Sequence, residues 1–153
     1  MALEVTENTA AKVEHYPTDA PPSSATATFY NAQGVETSTP TVTVDSIGAA
    51  GESVIQSVQS QTSFHVVNAT GIVAGRKYWL IDDQQGWSAA VLVSEINGTH
   101  VTLESPPPGA LSNSDSKLVG LRLEVTLSAS TDTNTRGLNN RVEWAVTGTD
   151  SVV

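Results

Sequence analysis

Asp82 and Asp83 stand side by side and are followed by Gln84 and Gln85. Paired carboxylates with amide oxygens beside them suit a hard cation such as calcium, which takes oxygen ligands. The spacing of a calcium loop is absent around them, and an Asp-Asp-Gln-Gln-Gly run is also the chemistry of a solvated turn. The histidines are His15, His65 and His100. An imidazole can serve as a base or a metal ligand, but the chain has no Cys, and these three match no zinc spacing. His65 and His100 fall within alternating runs, where each reads as a strand filler. Ser, His and Asp all occur, yet no Gly-x-Ser-x-Gly elbow presents a serine to a base. The sequence therefore nominates no catalytic set, no metal and no cofactor, and a non-enzymatic role is expected.

Contact chemistry is better represented. Tyr78, Trp79, Trp87 and Trp144 could form a platform on which a sugar stacks. Tyr78 and Trp79 are adjacent, however, so in a strand they point to opposite faces and one of them fills a core. Asn68-Ala-Thr70 and Asn97-Gly-Thr99 have the form of glycosylation acceptors, but with no secretory leader in view they read as turns. Arg and Trp are over-represented among interface anchors. Arg136, Asn139 and Arg141, with Trp87, are accordingly the candidate interface residues. A local pair between Arg141 and Glu143 on one strand face is the alternative for that part of the set.

The elements that must carry these residues read as strands throughout. From Thr62 to Glu104, short β-branched and aromatic runs alternate with Gly-, Asn- and Asp-containing turns, and no helical period interrupts them. Strand runs are expected at 53–57, 63–67, 77–81, 89–96 and 101–103. Asp83–Gly86 and Asn97-Gly98 close two hairpins, the second by the Asn-Gly turn. Gly71 and Gly75 bracket a tight approach to Tyr78-Trp79. Five strands at this spacing can close a small barrel. Upstream, Ala25–Tyr30, a turn at Asn31–Gly34 and the runs Val35–Ser38 and Thr41–Asp45 resemble a small immunoglobulin-like hairpin set. The predicted fold class is therefore all-β: an immunoglobulin-like β-sandwich portion at 1–47, then a β-barrel portion at 53–153.

The small-residue run Ile47–Glu52 is read as the boundary between these portions. Leu118–Leu127 reads as one long half-buried strand, with Leu121, Leu123, Val125 and Leu127 facing a core and Arg122, Glu124 and Thr126 facing water. Val142, Trp144 and Val146 alternate in the last strand. Between them, residues 128–140 are polar and longer than compact domains usually need. This stretch reads as a projecting loop or hairpin that is mobile in the isolated subunit and ordered by a neighbour.

Composition sets limits. The chain has 153 residues, with 7 basic and 16 acidic ones and a net charge of −9. Such a field repels phosphate, so direct nucleic-acid binding is not expected. The start, M-A-L-E-V-T-E-N-T, has neither a basic region nor an apolar run, and no stretch reaches the length of a membrane helix. Neither a signal peptide nor a membrane partner is expected.

The run T-S-F-H-V-V-N-A-T-G-I-V-A-G-R-K-Y-W-L-I-D, followed by N-G-T-H-V-T-L-E-S-P-P-P-G-A, resembles a recurring module of small virion proteins of tailed bacteriophages. A-T-A-T-F-Y-N-A-Q-G-V-E and R-G-L-N-N-R-V-E-W-A-V-T resemble the flanking parts, so the resemblance covers most of the chain. Chains of that kind usually continue past the last strand into a further strand, whereas this sequence stops at Thr149-Asp-Ser-Val-Val153, which bears on the C-terminal contact. The resemblance implies a head–tail interface (neck) subunit of a virion, assembled in the host cytoplasm as a ring with itself and with portal, adaptor or tail proteins. A capsid decoration or cement protein is the alternative within the same class. A carbohydrate- or receptor-binding β module is the alternative outside it.

Overall fold

Alternating β-branched and polar residues make strands the only regular elements of the residues described by this computed structural model, which are 2–3, 11–17, 22–30, 34–127 and 140–148. In chain order they are β1 (Ala2–Leu3), β2 (Ala11–His15), β3 (Pro22–Tyr30), β4 (Glu36–Ser38), β5 (Val42–Val44), β6 (Glu52–Ser60) and β7 (Ser63–Val66). They continue with β8 (Lys77–Asp82), β9 (Trp87–Asn97), β10 (His100–Leu103), β11 (Ser116–Gly120), β12 (Leu123–Leu127) and β13 (Asn140–Gly148). The chain is all-β and contains a closed barrel. It divides into two compact units: Met1–His15, Ser23–Val44 and Leu123–Thr147 form one, and Tyr16–Pro22, Asp45–Arg122 and Gly148–Val153 the other.

The barrel lies in the second unit and closes in the order β10-β7-β6-β11-β8-β9. Two of its hairpins follow from local chemistry. Gly86 ends the β8–β9 turn at φ 71° and Gly98 opens the β9–β10 turn at φ 60°, angles that residues with a Cβ rarely take. The sixth strand, β11, is the one the five-strand reading lacks. It inserts between β6 and β8, with Lys117 opposite Val54 and Leu118 opposite Leu80. The polar run before it has a use. Strand β6 is bulged, and Asn113 Oδ1 accepts from Val58 N at 2.9 Å while Ser114 N donates to Ile55 O at 2.8 Å. Buried backbone groups must find partners, and this loop supplies them to β6.

Alternation fills the interior. Phe64 and Val66 of β7, Val101 and Leu103 of β10, Tyr78 and Leu80 of β8, and Leu118 of β11 share one core with Ile55, Val91 and Val93. Strand β8 departs from alternation because its second face is also covered. Trp79 and Ile81 point away from that core and pack with Leu121, Tyr16 and Val119. A strand buried on both faces reads as a continuous apolar run, as Tyr78-Trp-Leu-Ile81 does. Ile47, read from sequence as part of the boundary between the two portions, is fully buried in the barrel core.

The first unit holds a four-stranded sheet, β1-β13-β3-β4, and a three-stranded one, β2-β12-β5. Val13, Ala27, Phe29, Val125 and Val142 form its core, with Val42 and Trp144 packed against it. Two sheets sharing one core are compatible with the expected immunoglobulin-like portion. The division along the chain differs from 1–47 and 53–153: β12 pairs with β2 and β5, and β13 neighbours β1 and β3, so both belong with the N-terminal strands.

The single strand expected over Leu118–Leu127 is two strands in different units, broken at Leu121 and Arg122. The break also moves Arg122 off the solvent face where alternation put it, because the residue is 5% exposed and its guanidinium is paired with Asp45. Leu121 packs with Trp79 and Ile81, while Val125 belongs to the other unit's core. The stretch 128–140, expected from sequence to project, lies outside the described residues except for Asn140, which opens β13.

Candidate functional site

Ordinary strand and turn geometry separates the two carboxylates singled out from sequence. Asp82, the last residue of β8, is fully buried, and Asp83 is exposed in the turn. The Ser116 hydroxyl donates to Asp82 Oδ2 at 2.6 Å, and Gln85 N donates to Oδ1 at 2.8 Å. Ser112 N in turn donates to Ser116 Oγ at 2.8 Å. The Asp82 oxygens are therefore spent on holding the β8–β9 turn to β11, and Asp83 reaches Lys117 at 3.8 Å. Burial pushes the Asp82 carboxyl up, but the hydrogen bonds from Ser116, Gln85 and their neighbours outweigh it, and its pKa lies below the usual carboxylate range.

A depressed pKa means that Asp82 stabilises the fold at pH values above its unfolded-state pKa, and that this contribution fades as pH falls through its lower folded-state value. The wild-type protein is therefore expected to lose its stability advantage over Asp82→Asn on acidification below about pH 4. Urea unfolding midpoints of both proteins, compared at about pH 7 and about pH 3, check this. An advantage that stays constant across that range contradicts it.

The aromatic set does not form one surface. Tyr78 is inside the barrel, where its hydroxyl accepts from Val73 N at 2.8 Å and donates to Gly71 O at 3.2 Å. Burial raises its pKa, so the phenol stays neutral and keeps both bonds. These bonds are the physical content of the tight approach expected near Gly71. That glycine sits at φ 83°, and a Cβ there would meet Ser46 O. Trp79 is covered by Tyr16 and Leu121. Trp144, in the other unit, stacks on His15 with ring centroids 5.4 Å apart. Burial lowers the His15 pKa.

Trp87, the interface candidate the structure describes in full, is half-buried against the barrel core. Its Nε1 donates to Ala110 O at 3.1 Å, and Gly109 lies so close to the indole that a Cβ there would overlap it. Trp87 thus pins the run Ser105–Ala110 to the barrel. Pro106–Pro108 of that run, with Ala90–Leu92, Lys77 and Glu104, line a cleft of about 450 Å³. Its lining mixes apolar and polar surface, with Lys77 and Glu104 giving one charge of each sign. Arg141 lies on β13 opposite Ala2, in the first unit, whereas Trp87 lies in the second. Arg136 and Asn139 lie outside the described residues.

Two arrangements escaped the sequence reading because they join distant positions. Asp45 receives Arg122 at 3.1 Å and Arg76 at 3.3 Å. His65 and His100 are register partners on β7 and β10, with ring centroids 4.9 Å apart. Read singly along the chain each histidine lacks a partner, and no local signal joins them, because the pairing of β7 with β10 is not set by any turn between those two strands. Among the described residues, no three or more His, Asp or Glu gather as a metal cluster. Comparison with protein-family models, curated proteins and solved structures returns no match for this chain.

Proposed function

We propose that this chain is a structural subunit of a tailed-phage virion, assembling as a head–tail interface ring between portal and tail. The supporting observation is the closed barrel whose interior is filled by its own side chains, among them Tyr78, Phe64, Leu80, Leu118 and Val93, each fully buried. A barrel of this kind offers its surface rather than its lumen. The buried polar groups Asp82 and Ser116 are bonded to each other, and Arg122 is bonded to Asp45. Such pairing stabilises a fixed shape. The order of the sequence motifs supplies the virion context.

A ring is a closed heterologous assembly, so each subunit needs two different complementary faces. The cleft beside Pro106–Pro108 combines apolar residues with one cation, Lys77, and one anion, Glu104, a mixture that suits an extended segment of a neighbour. Arg136, Asn139 and Arg141 remain the proposed contacts on the other part of the chain. The net charge of −9 keeps a central passage from adhering to DNA, since like charge repels phosphate.

Copy number in purified particles, measured by quantitative mass spectrometry, tests the assignment. About a dozen copies per particle fits a ring in the neck, hundreds fit capsid decoration, and absence from particles rejects both. Replacing Arg136 and Arg141 by Glu is expected to lower incorporation several-fold while the melting temperature changes little, because rim charges govern association more than folding. Normal incorporation of that variant would remove the arginines from the interface.

A further inference from the structure

We propose that His65 and His100 form a two-imidazole binding site for a late divalent transition-metal ion, Cu2+ or Ni2+, on the outer face of the barrel. The register carries the argument. Val66 N donates to Thr99 O at 2.9 Å and Leu103 N to Thr62 O at 2.8 Å, which makes those pairs the hydrogen-bonded positions of the β7–β10 ladder. His65 and His100, partners in the same register, fall between them at a non-hydrogen-bonded position. Cross-strand side chains approach most closely there. Phe64, Val66, Val101 and Leu103 point into the barrel, so both imidazoles project outward, where they are half-buried and within reach of solvent.

The hydrogen bonds around the rings leave the right atoms free. His65 Nδ1 shares a hydrogen bond with Thr99 Oγ1 at 3.2 Å, and His100 Nε2 shares one with Ser63 Oγ at 3.3 Å. A neutral imidazole that donates one N–H to a hydroxyl presents a lone pair on its other nitrogen, and such outer partners set the tautomer of metal-binding histidines. In the tautomers protonated at His65 Nδ1 and His100 Nε2, which these hydroxyls can accept from, the lone pairs fall on His65 Nε2 and His100 Nδ1. An ion about 2.0–2.1 Å from each can join nitrogens up to about 4 Å apart. The ring centroids lie 4.9 Å apart at an interplanar angle of 55°, a separation that one ion bound to a nitrogen of each ring can bridge.

Two protein ligands leave the remaining coordination positions to water. That favours copper and nickel, which lead the divalent affinity order and accept tetragonal geometry, over zinc, which wants a tetrahedral set of protein ligands. The net charge of −9 adds a general attraction for cations. The site is independent of the virion reading.

The test is titration of the untagged full chain with CuCl2 and with NiCl2 by calorimetry, with the melting temperature followed alongside. One ion per chain is expected, with a rise in melting temperature that a chelator reverses, because an ion that binds only the folded state stabilises it. His65→Asn and His100→Asn are each expected to weaken binding at least about tenfold, and Thr99→Val about tenfold without removing a ligand. His15→Asn is expected to leave binding unchanged. Affinity should fall on acidification, because protons compete for the same lone pairs. Electron paramagnetic resonance of the Cu2+-loaded wild-type protein should show two nitrogen ligands, a readout that does not depend on any variant folding. No binding at millimolar metal, survival of binding in either His65→Asn or His100→Asn, loss of it in His15→Asn, or a spectrum with a single nitrogen ligand would overturn the site.

Discussion

Gly120→Ala is expected to destabilise the chain by about 3 kcal/mol or more, at or beyond the upper end of overpacking costs. Gly120 ends β11 opposite Tyr78, and a Cβ added there would overlap the backbone carbonyl of Asp45. A flexible side chain could swing aside, but a peptide carbonyl moves only with its chain. That chain is tied: Asp45 N donates to Arg122 O at 2.9 Å, and the Asp45 carboxylate holds Arg122 and Arg76. On the other side, Tyr78 is locked by its two hydroxyl bonds near Gly71 and Val73. Relieving the overlap therefore means opening one of two bonded networks. Urea unfolding of the variant, with the denaturant slope compared to wild type, measures the cost. A loss under about 1 kcal/mol would mean that the Asp45 segment yields easily, contrary to the bonds described.

Arg122→Met is expected to cost about 3–5 kcal/mol, the range seen when one partner of a buried ion pair is removed. The guanidinium side chain is 6% exposed and its Asp45 partner 11%, with 3.1 Å between Nη1 and Oδ1. Removing the cation leaves a nearly buried carboxylate with Arg76 as its remaining cationic partner, at 3.3 Å and more open to water. Replacing both partners, as in Asp45→Asn with Arg122→Met, is expected to recover part of the loss, because no uncompensated charge then remains. The double-mutant cycle gives the coupling directly. By contrast, the pair Lys12–Glu124, at 3.5 Å with its lysine exposed, belongs with the surface pairs worth about 0–1 kcal/mol. A loss for Arg122→Met that falls within that surface range would deny the pair its structural role.

The position of this pair explains why the longest strand pattern misled. The chain passes from the first unit to the second at Val44–Asp45 and returns at Arg122–Leu123. Leu118 to Leu127 alternates cleanly enough to be one strand, with Gly120 as the local sign of a close backbone approach. The break is made by Asp45, 77 positions away in sequence, which takes the guanidinium that alternation assigned to water. The same distance effect hid the His65–His100 pair and the Asp82–Ser116 bond, each of which joins residues on separate strands. It also hid the sixth barrel strand, since β11 inserts between β6 and β8 rather than beside its sequence neighbour β10.

Sequence alone determined that the chain is all-β, where the β8–β9 and β9–β10 hairpins turn, that Tyr78 and Trp79 face opposite ways, and that a barrel closes in the second half. Those features rest on period-two patterning and on glycines that admit a positive φ, and both are properties of a few consecutive residues. Tertiary structure alone decided the order of the barrel strands, the assignment of β12 and β13 to the N-terminal unit, the burial of Arg122 and the facing of the two histidines. Each of these is a choice among strand edges that look alike to the chain locally. It is settled by which distant partner fills a core or neutralises a charge.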